Sequence, residues 1–257
     1  FAMEALLKDG FSPGIPPALI RKEITEGGGY WQGKIDEKHT ANDNYYLVSD
    51  PEENEQGLYL IGTGEHAIVP MHKDETLLAK ELPLKYAAFS PCYRREAGSY
   101  GRDTRGILRV HQFDKVEMVE FVKPEEDEIE RRKMLSIAEK LMQALELPYQ
   151  VVKLASGDLA FPSAETIDIE TWMPSQNKYR ETHSISTTTD FQARRLNIKY
   201  QEGPEKIFVH ILNGTAFAIG RTLIAIIENY QQEDGSVIIP EVLKNYINLD
   251  KIMPKKQ

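Results

Sequence analysis

The stretch Cys92-Tyr93-Arg94-Arg95-Glu96-Ala97-Gly98-Ser99-Tyr100-Gly101-Arg102-Asp103-Thr104-Arg105-Gly106, closing with His111-Gln112-Phe113-Asp114-Lys115-Val116-Glu117, sets two strand-like runs either side of a polar loop. The runs are expected over 86–96 and 107–122, and the loop from Ala97 to Gly106 holds three glycines, two arginines and one aspartate. Arginine presents a planar fork of donors that fits phosphate or carboxylate in bidentate fashion. Arg94 and Glu96 stand two apart, so on a strand they point the same way, and Glu117 lies on the facing strand. A cation and an anion on one sheet face can hold an amino acid or a nucleotide. The same charges on a surface hairpin are simply solvated, and the residues alone leave both readings open.

Working outward, residues 2–9 carry an amphipathic pattern that stops at Gly10, a helix C-terminal signal. Gly10-Phe11 to Pro16-Pro17 reads as a stiff extended connector. Gly27-Gly28-Gly29 and the polar stretch 36–44 read as an exposed loop. Tyr45–Val48 and Leu58–Ile61 form a hairpin pattern with a long acidic loop. A helix is expected over about 125–145: Glu125, Glu126 and Asp127 suit its N-terminal dipole, and Met134, Ile137, Ala138, Leu141 and Leu145 share one face. Further strands are expected over 166–172 and 207–212, then a helix over about 217–230. Strands come in adjacent groups with helices inserted, which predicts one α+β domain over 1–257, a mostly antiparallel sheet flanked by helices. Charges alternating along the strands place a polar cleft on one sheet face.

Composition excludes several function classes. Apolar residues make up 41% and charged residues 28%, an ordinary soluble balance. No apolar run approaches the ~20 residues of a membrane helix, so no membrane role is expected. Cys92 is the single cysteine, which rules out an intrachain disulfide or a cysteine-based zinc cluster and favours a reducing, cytoplasmic setting. A net charge of −9, from 31 basic against 40 acidic residues, argues against a broad nucleic-acid-coating surface. Any RNA contact is therefore local. His66, His72, His111, His183 and His210 are scattered without metal-ligand spacing, and no Walker loop or G-x-G-x-x-G fingerprint follows a strand. Phe1-Ala2-Met3-Glu4 lacks the basic start of a signal peptide, and the chain opens inside a helical pattern, as a fragment does.

The 92–117 stretch resembles motif 2 of class II aminoacyl-tRNA synthetases, in the form typical of seryl-tRNA synthetases. Leu212-Asn213-Gly214-Thr215-Ala216-Phe217-Ala218-Ile219-Gly220-Arg221-Thr222 resembles motif 3, and Glu228-Asn229-Tyr230-Gln231-Gln232 with Pro240-Glu241-Val242-Leu243 resembles the C-terminal signature. Thr63-Gly64-Glu65 stands where that family has its serine-binding loop. Arg180-Glu181-Thr182-His183-Ser184 and Asp190-Phe191-Gln192-Ala193-Arg194-Arg195 resemble the segment between motifs 2 and 3, and Gly10 to Pro16 is similar to motif 1, a dimer interface.

The resemblance implies activation of L-serine by ATP and transfer to the 3′ end of tRNA-Ser. It implies that Arg94 bridges the serine carboxylate and the α-phosphate, that Glu96 meets the adenine end, that Phe113 stacks on the base and that Arg221 pairs with the terminal phosphate. The backbone near Val110, together with Glu181, Thr182, His183 and Ser184, completes the implied ATP site, with Glu181 and Ser184 holding Mg²⁺. For serine, Thr63 and Glu65 meet the ammonium group, Arg94 the carboxylate, and Glu117 and Thr215 the side chain, with Gly64 and Asn213 also in the implied serine site. A homodimer is implied, and a catalytic domain without the family's N-terminal coiled-coil arm. Read without the family, Glu65 is equally a solvated loop carboxylate, and Arg194-Arg195 reads as a structural or surface pair.

Three positions depart from the family pattern: Thr215 for serine, Gly64 for alanine, and Ser186-Thr187-Thr188-Thr189 where Ser-Asn is usual. None removes a charged residue of the implied site. Two alternatives stand beside serine–tRNA ligation. A ligase acting on a carrier protein is disfavoured by the intact motif 2 loop. A non-catalytic paralogue is disfavoured by the presence together of Arg94, Glu96, Glu181 and Arg221.

Overall fold

The computed structural model describes residues 1–30, 45–48, 57–96 and 106–255. The loops expected over 36–44 and 97–105 lie outside the described residues. In chain order, α1 (Ala2–Lys8) precedes β1 (Ser12–Gly14), and β2 (Leu19–Arg21) leads into α2 (Lys22–Gly27). Then come β3 (Leu58–Leu60), α3 (Glu65–Ile68), β4 (Thr76–Leu78), β5 (Leu84–Tyr93), β6 (Gln112–Val122) and α4 (Asp127–Ala144). After β7 (Tyr149–Lys153), β8 (Glu165–Met173) and β9 (Lys178–Thr187) follow α5 (Phe191–Leu196), β10 (Lys199–Glu202), β11 (Glu205–Phe208) and β12 (His210–Ala218). The chain closes with α6 (Ile219–Tyr230), β13 (Val237–Ile238), α7 (Glu241–Ile247) and β14 (Lys251–Ile252). Among the described residues no helix is long and apolar enough to cross a membrane.

A seven-stranded sheet in the order β1-β5-β6-β12-β9-β8-β7 organises the molecule. Only the β1–β5 pair in it is parallel; the rest are antiparallel. This is the α+β, mostly antiparallel architecture expected. The pleat of β6 shows how it forms. Val116, Met118 and Val122 point to the rear, where they join Met134, Ile137, Ala138 and Leu141 of α4 in the main core. Those α4 residues are the predicted face. Lys115 and Glu117, on the alternate positions, point to the front. Higher on that front face, Val119 and Phe121 pack with Ala193 and Leu196 of α5 in a second core.

Several boundaries differ from expectation for local reasons. The 86–96 strand stops at Tyr93, and Glu96 adopts φ 52, outside any strand conformation. Its partner starts at Gln112 rather than 107. The helix expected from 125 begins at Asp127, because Pro124–Glu126 form a 3-10 turn. The 207–212 strand is two strands broken at Val209, and β12 runs on to Ala218, so α6 starts at Ile219. Tyr45–Val48 does meet the 58–61 run, through Val48 N–H to Leu58 O at 2.8 Å and Leu60 N–H to Tyr46 O at 3.0 Å. The regular ladder of β3, however, is with β2.

Gly27-Gly28-Gly29 is not an exposed loop: Gly28 and Gly29 are buried. A Cβ on Gly27 would stand 2.7 Å from Leu196 Cδ2, and one on Gly29, at φ +78, 2.5 Å from Phe191 Cε1. The missing side chains let the end of α2 dock directly on α5. Arg195, expected as half of a structural pair, fastens the same joint by donating to Glu26 O at 2.7 Å and Gly27 O at 3.1 Å.

Behind the sheet Glu120 is fully buried, and among the described residues neither carboxylate oxygen has a hydrogen-bond partner. Lys85 Nζ is 3.5 Å from it but 2.6 Å from Glu130. Burial pushes the Glu120 carboxyl up to about 8, opposed by Lys85 and reinforced by Glu130. The folded state thus keeps a proton that the unfolded state releases from about 4.5 upward, so Glu120 lowers stability as pH rises from there to about 8. Glu120→Gln, which cannot ionise, is expected to be more stable than the parent by at least ~1 kcal/mol near pH 9, about 2–4 °C in Tm. The gain shrinks toward pH 5. Melting curves showing a pH-independent difference over that range would contradict this assignment.

Candidate active site

The front of the sheet forms one wall of a cavity of about 490 Å³, in the range of small-molecule sites. Thr63, Glu65, Arg94, Glu96, Val110, Phe113, Glu117, Glu181, Thr182, Ser184, Asn213, Thr215 and Arg221 all line it. Residues from five separate stretches of sequence are thus brought together. Two expected residues are not among them.

His183 is fully buried, its ring centroid 5.8 Å from that of Phe217 on the rear face. Burial lowers its pKa to about 4, so the ring is neutral. Its side chain is part of the core and not of the site. Gly64 lies beneath the cavity, where a Cβ would meet Ala88 Cβ at 2.9 Å and Ser90 Oγ at 3.3 Å. It seats its loop on β5 and offers no side chain to a ligand.

Glu181 and Ser184 are three apart, and on a regular strand they would face opposite ways. The β8–β9 register slips between Ile169 and Glu170, pairing them with His183 and Glu181, so that Thr182 is an extra residue. This bulge restores the parity and turns both side chains to the cavity. A second slip, between Thr215 and Phe217 of β12, sets Thr215 opposite Glu117 and sends Ala216 and Phe217 together into the rear core.

The cavity is lined by two chemically distinct sets of groups. In one, Arg94 Nε donates to Gly62 O at 3.0 Å, and its guanidinium lies 5.4 Å from the Phe113 ring centroid. Glu96 is paired with Arg109, so the two reach the same cavity although Glu96 is not on a strand. Arg221, in the first turn of α6, donates through Nη1 to Glu181 O at 2.9 Å and stands 3.3 Å from the Glu181 carboxylate.

In the other, Glu65 is buried and hydrogen-bonded, not a solvated loop carboxylate. Its Oε1 accepts from Tyr30 Oη at 2.5 Å and Gln192 Nε2 at 2.8 Å. Burial raises its pKa; those two hydrogen bonds oppose the shift, and the nearby Glu117 charge adds to it. The Thr63 hydroxyl is buried and has no hydrogen-bond partner among the described residues. Such an orphan, beside a buried carboxylate, fits a ligand that carries an ammonium group. Deeper in, Glu117 Oε2 is 2.5 Å from Lys115 Nζ and 3.4 Å from the Thr215 hydroxyl, which donates to it.

Lys115, Tyr30, His66 and Gln192 were not singled out from the sequence. Lys115 was accessible to it, since it alternates with Glu117 on one strand face. His66 Nδ1 accepts from Gly62 N–H at 3.1 Å, and its ring lies 3.8 Å from that of Tyr30. Burial, then the Arg94 and Lys115 charges, hold it well below its usual pKa and therefore neutral.

Asp168 is a further missed neighbour. Its Oδ1 accepts from Ser184 Oγ at 2.7 Å. Burial raises its pKa to about 6; the Ser184 hydrogen bond opposes this, and Glu181 and Glu170 add to it. Glu181, Ser184 and Asp168 are hard oxygen donors with excess negative charge, which suits Mg²⁺. Among the described residues, no group of three or more His, Cys, Asp or Glu side chains forms a metal site by itself. The protein donors therefore fit an ion whose remaining ligands come from phosphate and water.

With this geometry in place, comparison with known proteins gives a consistent result. The tRNA synthetase class II core domain (G, H, P, S and T) matches residues 46–230. The chain belongs to the class II tRNA synthetase core family. The stretch that resembles motif 2 runs through β5 and β6, and the one that resembles motif 3 runs through β12 into α6. The serine–tRNA ligase of Thermosipho melanesiensis is 50% identical over 237 residues, 92% of this chain and 53% of that protein. The Pyrococcus horikoshii serine–tRNA ligase is 45% identical over 256 residues, 99% of this chain and 54% of that protein. The chain therefore spans about half the length of the curated relatives it matches.

Solved structures agree with the class II core assignment. The P. horikoshii seryl-tRNA synthetase complexed with ATP superposes with a TM-score of 0.90 at 44% identity, over 99% of this chain and 55% of that one. The cytoplasmic serine–tRNA ligase of Naegleria fowleri in complex with AMP gives 0.88 at 36% identity, over 99% and 58%.

Proposed function

We propose that residues 1–257 form the catalytic domain of a cytoplasmic serine–tRNA ligase, which activates L-serine with ATP and passes the seryl group to the 3′ end of tRNA-Ser. The observation that carries this reading is that two sets of groups share one cavity: Arg94, Phe113 and Arg221, and Thr63, Glu65, Glu117 and Thr215. The relatives' names and the ATP- and AMP-bound neighbours support the same substrates.

In the first step an oxygen of the serine carboxylate attacks the α-phosphorus. The bond from that phosphorus to the bridging oxygen breaks, and pyrophosphate leaves with the electron pair. The nucleophile is already ionised, so no general base is needed. Catalysis then rests on positioning and on charge stabilisation. Arg94 meets both the carboxylate and the α-phosphate. Phe113 offers a face to the base, Glu96 lies toward the adenine end, and Arg221 at the start of α6 receives the terminal phosphate. Glu181 and Ser184 would hold Mg²⁺, which supplies neutralisation of phosphate charge. In the second step a ribose hydroxyl of the tRNA attacks the seryl carbonyl, the bond from that carbon to the phosphate oxygen breaks, and AMP departs with the hydroxyl proton on its phosphate.

Mixing enzyme, ATP and L-serine with inorganic pyrophosphatase is expected to give a burst of about two equivalents of orthophosphate per active site, two from each pyrophosphate released. A burst independent of serine would contradict the proposal. The similarity of Gly10–Pro16 to motif 1 extends it to a two-fold homodimer, with light scattering at micromolar concentration expected to give twice the chain mass. A monomer would contradict that extension.

A further inference from the structure

We propose that Gln192 and Tyr30 are positioning residues for the amino-acid substrate: together they hold one oxygen of Glu65 so that its other oxygen receives the ammonium group of serine. This rests on the reading of Glu65 as the ammonium partner, and adds to it the device that sets its direction. Gln192 is fully buried on α5. Its Nε2 meets Glu65 Oε1 at 2.8 Å, Tyr30 Oη at 2.7 Å and Gly28 O at 3.3 Å. A carbonyl and a carboxylate can only accept, so the NH₂ side of the amide must face them, and the orientation of Gln192 is fixed by chemistry. The Thr188 hydroxyl, 3.2 Å from Gln192 Oε1, holds the far side of the amide.

Tyr30 closes the triangle by donating to Glu65 Oε1 at 2.5 Å. Both bonds therefore fall on the same oxygen, and the other is left out of them. The partners come from distant parts of the chain, 35 and 127 residues from Glu65. What brings them together is the glycine run: without side chains at Gly27 and Gly29, α2 reaches α5 and delivers Tyr30 to the carboxylate. Held in this way, Glu65 has little freedom to swing, and orientation of a bound group is where such a constraint acts.

The test uses steady-state ATP–pyrophosphate exchange with the full chain and three variants. Gln192→Met keeps the volume and removes the amide. Tyr30→Phe removes only the hydroxyl and keeps the ring against His66. Glu65→Gln removes the charge itself. The probe is 3-hydroxypropanoate, which is serine without its ammonium group, used as a competitive inhibitor. Loss of a hydrogen bond to a charged group predicts a rise of about tenfold or more in KM for L-serine in Gln192→Met and in Tyr30→Phe. The inhibition constant of 3-hydroxypropanoate and KM for ATP should stay within about twofold, an unmoved reference that loss of pocket shape could not leave.

If Glu65→Gln raises KM for serine while Gln192→Met and Tyr30→Phe do not, the positioning role is wrong. Equal weakening of serine and 3-hydroxypropanoate in those two variants also overturns it. If Glu65→Gln itself leaves KM for serine unchanged, the fault lies in the reading of Glu65. Should Gln192→Met fail to fold, Tyr30→Phe carries the test alone.

Discussion

Arg94→Ala is expected to reduce serine-dependent ATP–pyrophosphate exchange by about two orders of magnitude or more in kcat/KM, the scale seen when one preorganised donor to developing charge is removed. Arg94 is placed for that role before any ligand arrives. Its Nε is fixed on Gly62 O at 3.0 Å, its backbone N–H bonds His111 O at 3.0 Å, and the Phe113 ring lies beside its guanidinium. The guanidinium therefore loses little freedom when it meets carboxylate and phosphate together. The residue is half-buried in a cleft and outside the core clusters, so the melting temperature should change little. A folded variant with exchange within a few-fold of the parent would show that Arg94 does not stabilise the transition state.

Glu117→Gln is expected to lower kcat/KM for serine by about thirtyfold or more while leaving the much weaker activation of alanine nearly unchanged. Glu117 is 2% exposed and is paired with an almost equally buried Lys115. Removing one charge of such a pair leaves the other uncompensated, a loss of ~2–5 kcal/mol when a ligand depends on the pair. The carboxylate and the Thr215 hydroxyl are the expected partners of the serine hydroxyl. A site that hydrogen-bonds a hydroxyl rejects an analogue without one because its own groups then go unpaired. Comparing serine with alanine isolates that contribution from damage common to both. Parallel losses for the two amino acids would remove Glu117 from hydroxyl recognition.

The parts of this site that were legible in the sequence are those that depend on local pattern. The alternation along 112–122 puts Glu117 on a polar face, and the 3.6-residue spacing from Met134 to Leu141 identifies the face of α4 that covers the sheet. Arg94, Glu181 and Arg221, which the motif resemblance singles out, line one cavity. What was not legible depends on parity or on distant contact. A single extra residue at Thr182 decides whether Glu181 and Ser184 face the same way, and nothing in its side chain announces a bulge. His183 fell on the wrong face for the same reason. Gly27-Gly28-Gly29 looked like punctuation in a loop, because flexible turns and close backbone packing both call for glycine. Tyr30, Glu65 and Gln192 form one hydrogen-bonded unit across long sequence separations, which no periodicity reports.

The central claim is that one cavity reads both an adenine nucleotide and the hydroxyl of serine. ATP–pyrophosphate exchange measured with a panel of L-serine, L-threonine, L-alanine and glycine tests it most directly. The account predicts serine first by a wide margin. Threonine should follow as the nearest competitor, because one added methyl group gives discrimination of only ~1–3 kcal/mol. Alanine and glycine should fall about a thousandfold or more below serine, since each leaves the Glu117–Thr215 pair without its partner. Exchange that ran as well with alanine as with serine, or that ran without any amino acid, would contradict it.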